Sequence, residues 1–329
     1  MHLLTAVKER MVNMNSNSNA IFTLCSHLCV GDDVAPLEPK EWGELAKKLM
    51  ELGLQPESIF EFSKAEFKDK FLVSEEYADR IFRLIDRNAS LSFELSQLQS
   101  MGITAITRAD EKYPMRLKKV LGNNCPPIFY AAGDISLLDY KYIGYVGSRT
   151  ISDDDIVFTK ATVAKTVDAG FGVVSGGAKG IDTVSEERAL EMGAPIVEYL
   201  SDSMLKKMRK NSIVRAIANK KMLLLSVAKP DAAFNVGIAM MRNRYIYAQS
   251  MGTVVVRSEY NKGGTWAGAV ENLKYGWCKE LCWDKKTYQG NKALIEQGAI
   301  PISADWNGDI DVVHPSKLNY GGEQLSLFD

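Results

Sequence analysis

Along the first hundred residues the apolar positions recur every three or four. EWGELAKKLMELG sets Trp42, Leu45, Leu49 and Leu52 on one helical stripe, and Gly53 closes it. The period continues through residues 57–62 and 74–86. There SEEYADRIFRLID opens on Ser74, a good N-cap, followed by two acids that suit the positive end of a helix dipole. LSFELSQLQSMG (91–102) extends the helical pattern.

From residue 103 the pattern changes to short apolar runs of strand length separated by helical stretches. ITAIT, PPIFYAAG, KYIGYV, FGVVS, PIVEYL, MLLLS, TVVVRS and KELCW read as strands. Helices are predicted at about 153–169, from Asp182, over 203–220, 235–250 and 265–275, and near 291–297. This alternation predicts an α/β fold: a Rossmann-like parallel sheet with helices on both faces, preceded by a small all-α domain. The boundaries follow the change of period: a helical domain over 1–100, a Rossmann-like core over 101–305 and a C-terminal tail over 306–329.

In such a sheet the loops at the strands' carboxyl ends share one edge, where ligands bind. Three loops fall there. Gly147-Ser148-Arg149 offers a sharp turn, a hydroxyl donor and a guanidinium. Ser175-Gly176-Gly177-Ala178-Lys179-Gly180 has the form of an anion nest before a helix, with Asp182 read as the helix N-cap. The same run equally suits a tight strand-to-helix turn that binds nothing. It matches neither GxGxxG nor GxxxxGK[ST], which argues against a dinucleotide or NTPase site. Lys262, Gly263, Gly264 and Thr265 form the third loop, with Thr265 read as a cap whose hydroxyl is free to donate. A fourth element, Arg242-Asn243-Arg244 beside Tyr245 and Tyr247, joins cations for phosphate to rings for stacking. The stretch from Lys206 to Lys221 carries seven cations and reads either as a binding face or as an ordinary solvated helix.

Composition narrows the classes. With 46% apolar and 25% charged residues and a formal net charge of −1, the chain of 329 residues is no polycation, so any nucleic-acid binding must come from local patches. Neither a signal peptide nor a membrane-length apolar run is present, which predicts a cytoplasmic protein. The five cysteines include two CxxxC pairs, a spacing that suits reduced thiols better than zinc, and no metal or cofactor is expected. None of His2, His27 and His314 falls in a candidate loop, so histidine acid–base chemistry has little support.

Taken in order, YPMRL (113–117), PPIFYAAG (126–133), VGSRT (146–150), VVSGGAKGID (173–182), ERAL (187–190), MRNRYI (241–246), KGGTWAGAVE (262–271) and GNKALIEQGA (290–299) resemble the DNA-processing protein A (DprA/Smf) family over about residues 103–303. The helical N-terminus resembles the small sterile-alpha-motif-like (SAM-like) domain that precedes the core in many members. The resemblance implies a non-enzymatic protein that binds single-stranded DNA as a homodimer and hands it to the RecA recombinase. It implies that Ser148 and Arg149, the loop Ser175 to Asp182 and the Arg242-Asn243-Arg244 segment line a positively charged pocket. Three departures stand out. Lys179 replaces the usual arginine, Ser185-Glu186 replaces the usual Ala-His pair, and no winged-helix domain follows residue 303. Divergent members also resemble components of anti-phage defence and toxin–antitoxin modules, so a cognate toxin is a second candidate partner. Separately, Gln324, Leu325, Leu327 and Phe328 in QLSLF resemble the peptide by which bacterial proteins dock on the DNA polymerase sliding clamp.

An enzymatic alternative rests on the same third loop. KGGTWAGAVE resembles the PGGxGTxxE loop of lysine-decarboxylase-like phosphoribohydrolases, with Glu271 matching the motif's glutamate, although the proline is missing. That reading makes the protein a nucleotide sensor or a hydrolase.

Overall fold

A computed structural model describes residues 14–29 and 34–310. The QLSLF segment lies outside the described residues. The chain divides into two compact units, one running to Tyr113 and including Gly122–Ala131, the other holding Pro114–Leu121 and continuing from Ala132.

The first unit is mainly helical. α1 (Ser16–Cys25) starts at Asn15, whose side chain accepts from the Ser18 amide at 2.7 Å. α2 (Pro39–Glu51) opens on a Glu38/Glu41 capping box with proline in its first turn, and Trp42, Leu45 and Leu49 bury its apolar stripe. Leu52, expected on that stripe, is the C-cap and stays 37% exposed. Residues 56–61 form a 3₁₀ turn begun by Pro56 where an α-helix was expected. α3 (Lys64–Phe71) has a second capping box, Ser63 with Glu66. α4 (Glu75–Asp86) is capped by Ser74 as its sequence predicts, and α5 (Asn88–Ser100) packs on β1 (Ile103–Thr107).

The second unit contains α6 (Met115–Leu121) and a sheet with helices between its strands. After β2 (Ile128–Gly133) come β3 (Tyr142–Val146), α7 (Asp153–Asp168), β4 (Gly172–Ser175), α8 (Ile181–Glu191) and β5 (Ile196–Tyr199). Next are α9 (Met204–Lys207), α10 (Asn211–Ala218), β6 (Met222–Ser226), α11 (Val236–Gln249) and β7 (Ser250–Val255). α12 (Gly263–Tyr275), β8 (Lys279–Trp283), α13 (Gln289–Glu296) and β9 (Ile300–Ile302) complete it. β9 and α6 were not legible as elements: one is three residues long, the other a seven-residue helix after a proline.

Within this unit the strands run β6-β5-β4-β3-β7-β8-β9, and every pair from β6 to β9 is parallel. The chain builds outward from β3 to β6, then crosses back to lay β7 on the other side of β3. That reversal is a topological switch point, where the loops after β3 and β7 diverge and leave a crevice at their carboxyl ends. β3, β4, β5 and β6 are buried at every position, as strands covered on both faces must be.

The helix predicted over 203–220 is two short helices joined by a turn, so the basic stretch from Lys206 to Lys221 is not one charged face. Its cations point in different directions. Lys207 is turned inward, Lys221 donates to the Gly193 carbonyl at 2.6 Å, and Lys206 and Arg209 are exposed. No helix among the described residues is long and apolar enough to cross a membrane.

Candidate nucleic-acid interface

The crevice at the switch point is an open cleft of about 540 Å³. Val146 to Thr150 form one wall as they leave β3, and Arg257 and Glu259 form another beyond β7. Phe234, Met240, Arg242, Asn243 and Tyr247 line it from α11 and the loop before it, and Lys262 to Thr265 from the start of α12. Arg149, Arg242, Arg257 and Lys262 face two acids, Asp182 and Glu259, so four cations oppose two anions and the lining is net positive by two.

Of the residues singled out in the sequence, Gly147, Ser148, Arg149, Asp182, Arg242, Asn243, Lys262, Gly263, Gly264 and Thr265 line the cleft. Ser175, Gly176, Gly177, Lys179, Gly180 and Arg244 do not. Arg244 sits a helical step from the lining and is held by Glu271 at 2.9 Å. Glu271, the glutamate of the hydrolase-like reading, is therefore paired outside the cleft.

The glycine loop contributes indirectly. The amides of Gly176 and Ala178 both donate to Asp182 Oδ2 at 3.2 Å, and the Gly177 amide donates to Ser175 Oγ at 3.2 Å. The amides read from sequence as an anion nest are thus spent on the protein's own side chains. Asp182 is not the N-cap either: α8 begins after Gly180, whose φ is 84° and where a Cβ would meet the Ser148 carbonyl. A side chain at Gly180 would be strained by its backbone and blocked by that carbonyl.

What the loop positions is Arg242. Its guanidinium fills the space that a Cβ on Gly176 would occupy, 3.9 Å from the Asp182 carboxylate. Arg242 is only 6% exposed, and its Nε has no hydrogen-bond partner. Burial pulls its pKa down from the arginine value while Asp182 and Glu198 oppose this, and the guanidinium keeps its charge. Burial likewise pushes the Asp182 carboxyl up, against Arg242 and the two amides.

Beneath the loop lies a second layer of charge. Glu198, fully buried at the end of β5, pairs with Lys207 at 2.5 Å. Ser175 Oγ donates to Glu186, and burial together with the Glu198 charge pushes the Glu186 carboxyl well above the usual carboxylate range.

Around the rim, Thr265 Oγ1 donates to the Gly147 carbonyl at 3.0 Å, fastening α12 to the β3 turn. Thr265 is not the cap of α12: that position is Lys262. Asn243 Nδ2 donates to the Gly264 carbonyl at 3.2 Å. Arg149 is exposed at the mouth, with its guanidinium 6.0 Å from the Phe234 ring.

Sequence reasoning missed Phe234, Met240 and Arg257. Arg257 is held by Asp155 at 3.3 Å and stacks on Tyr288 at 4.9 Å. Its signal was available, because a cation directly after an apolar strand lies at the ligand edge of a parallel sheet. The CxxxC pair Cys278 and Cys282 consists of buried thiols: Cys278 Sγ lies 3.3 Å from Thr253 Oγ1, and Cys282 Sγ 3.6 Å from the Asn291 carbonyl.

The sequence profile of the DNA recombination-mediator protein A family matches residues 104–307. The chain belongs to this family. It is 27% identical over 128 residues to the DNA processing protein DprA of Streptococcus pneumoniae (strain ATCC BAA-255 / R6), a stretch covering 39% of this chain and 42% of that protein. Its fold is similar to the X-ray structure of DNA processing protein A from S. pneumoniae, with a TM-score of 0.63 and 21% identity over 81% of this chain and 95% of that one. It is also similar to DNA processing protein A from Helicobacter pylori, studied for its single-stranded DNA binding mode. There the TM-score is 0.51 and the identity 23%, covering 61% of this chain and 90% of that one.

Proposed function

We propose that this protein binds single-stranded DNA through its phosphate backbone in the cleft at the switch point, and acts in DNA processing or recombination. The observation that carries this is Arg242: a largely buried cation that lines an open, net-positive cleft, its guanidinium held 3.9 Å from the Asp182 carboxylate. A guanidinium held this way meets an anion without first giving up much hydration or side-chain freedom. Arg257, Arg149 and Lys262 extend the positive surface to the rim. A cleft of about 540 Å³, with cations continuing to its rim, takes a short stretch of single-stranded backbone, not a double helix.

Membership of the family supports this reading, and so does the likeness to a fold studied for single-stranded DNA binding. The pairing of Glu271 with Arg244 outside the lining favours binding over glycosidic hydrolysis, since the proposed acid is not presented to the cleft. Competition against a labelled single strand tests the proposal. Unlabelled single strands should displace it at far lower concentration than duplex or free nucleotides. Equal displacement by a nucleoside monophosphate would favour a nucleotide sensor instead.

Two finer readings rest on sequence resemblance. Handing the bound strand to a RecA recombinase predicts faster filament growth on strands coated with single-strand-binding protein. Clamp docking by residues 324–328 predicts that alanine at Leu327 and Phe328 abolishes capture on the sliding clamp.

A further inference from the structure

Beside the cleft stands an aromatic pair that the site described so far does not use. Tyr260 and Trp266 meet edge to face, with ring centroids 5.1 Å apart and an interplanar angle of 69°. Tyr260 is 62% exposed, and Trp266 is half-buried. In a T-shaped pair one ring turns only its edge to the other, so a ring face remains open to a third partner.

The local chain is built to hold the pair at the rim. Glu259 and Lys262, both in the cleft lining, are joined by an antiparallel bridge and an ion pair at 3.5 Å. The two residues between them form a tight turn in which Asn261 takes a left-handed φ of 52°, a conformation that asparagine tolerates better than most residues. The turn carries Tyr260 outward. Trp266 follows Thr265, which is fastened to the Gly147 carbonyl at 3.0 Å. Both rings are thus fixed within two residues of groups that line the cleft, and Lys262, 80% exposed at its side chain, stands between them in sequence.

We propose that Tyr260 and Trp266 form a stacking platform for one unpaired base of a DNA strand whose backbone lies in the cleft. An unpaired base offers a bare ring face, whereas in a duplex both faces are covered by neighbouring pairs. Stacking on an aromatic ring tolerates any base, so the platform adds affinity without sequence preference. It also adds to the preference of the cleft for single strands over duplex. The proposal rests on the DNA-binding reading of the cleft and assigns it a base subsite.

The test uses the full chain and two labelled probes: an oligothymidylate, and a chain of equal length with abasic sugars. Wild-type protein binds both, the oligothymidylate more tightly. Tyr260→Ala weakens the oligothymidylate by about five- to a hundredfold and leaves the abasic chain unchanged. Tyr260→Phe keeps wild-type affinity for both. Part of the tryptophan quenching on adding oligothymidylate disappears in Trp266→Phe. Equal losses of Tyr260→Ala on the two probes, or no loss on either, overturn the platform while leaving the cleft reading in place. If wild-type protein binds neither probe, the DNA-binding reading fails and the platform falls with it.

Discussion

The guanidinium of Arg242 stands where a side chain at position 176 would have to be. Gly176 lies on the loop after β4 and Arg242 on α11, so the glycine is the absence that lets a cation reach the cleft floor. Gly176→Ala should therefore act on two properties together. The added methyl overlaps the guanidinium and costs about 1–3 kcal/mol, as overpacking does. It also displaces Arg242 from Asp182 and weakens single-strand binding. Urea denaturation and DNA titration of one sample check both, and wild-type values for both would mean that Arg242 reaches its place without that space.

Arg149 and Arg244 should behave differently although both are exposed arginines. Arg149 lines the mouth of the cleft and Arg244 pairs with Glu271 beyond it. Arg149→Ala should weaken single-strand binding several-fold and lower the slope of log affinity against log salt by about 0.7, the share of one single-strand phosphate. Arg244→Ala should shift affinity less than twofold, because an exposed ion pair is worth about 0–1 kcal/mol and no cleft contact is lost. A larger effect from Arg244 than from Arg149 would place the DNA elsewhere.

Much of this architecture was legible because buried parallel strands print themselves as apolar runs. KYIGYV, PIVEYL and MLLLS mark three such strands. The sheet order was not legible. Nothing in TVVVRS says that this strand returns to the far side of β3, and it is that return which opens the cleft. The glycine loop was found for a reason the structure revises: its amides serve Asp182 and Ser175, and its small residues make room for Arg242. Arg242 and Arg244 look alike in sequence. Two positions along a helix turn them to different sides, one into the cleft and one onto Glu271.

Lys207→Met tests the charge layer beneath the loop. The substitution leaves Glu198 buried without its partner, and removing one member of a buried pair costs about 3–5 kcal/mol. Losing the cation raises the Glu198 carboxyl further, so the folded state takes up a proton more readily than the unfolded chain. The deficit should be largest near neutral pH and shrink as Glu198 protonates in acid. Thermal melts of variant and wild type across pH measure it, and a pH-independent deficit would contradict the ion-pair account.

Glu280 gives a second pH signature. It is buried on β8, and burial pushes its carboxyl up to about 8, with the Asn272 amide opposing. A folded-state pKa above the unfolded one means the native state holds the extra proton between about pH 4.5 and 8. The contribution to stability is complete below the unfolded value and is lost as pH rises through this window, by up to about 1.4 kcal/mol per unit. Glu280→Gln cannot ionise, so its stability should fall less steeply than wild type between those limits. Parallel pH–stability curves for the two proteins would show that Glu280 does not titrate there.

The most direct measurement of the central claim is the affinity of the wild-type protein for labelled single-stranded and duplex DNA across a salt series. The cleft predicts preference for the single strand, with log affinity falling linearly as log salt rises and a slope of about −2 to −3 if three or four phosphates are engaged. Binding of neither form at low salt, or equal salt-insensitive binding of both, would contradict a phosphate-binding cleft built around Arg242.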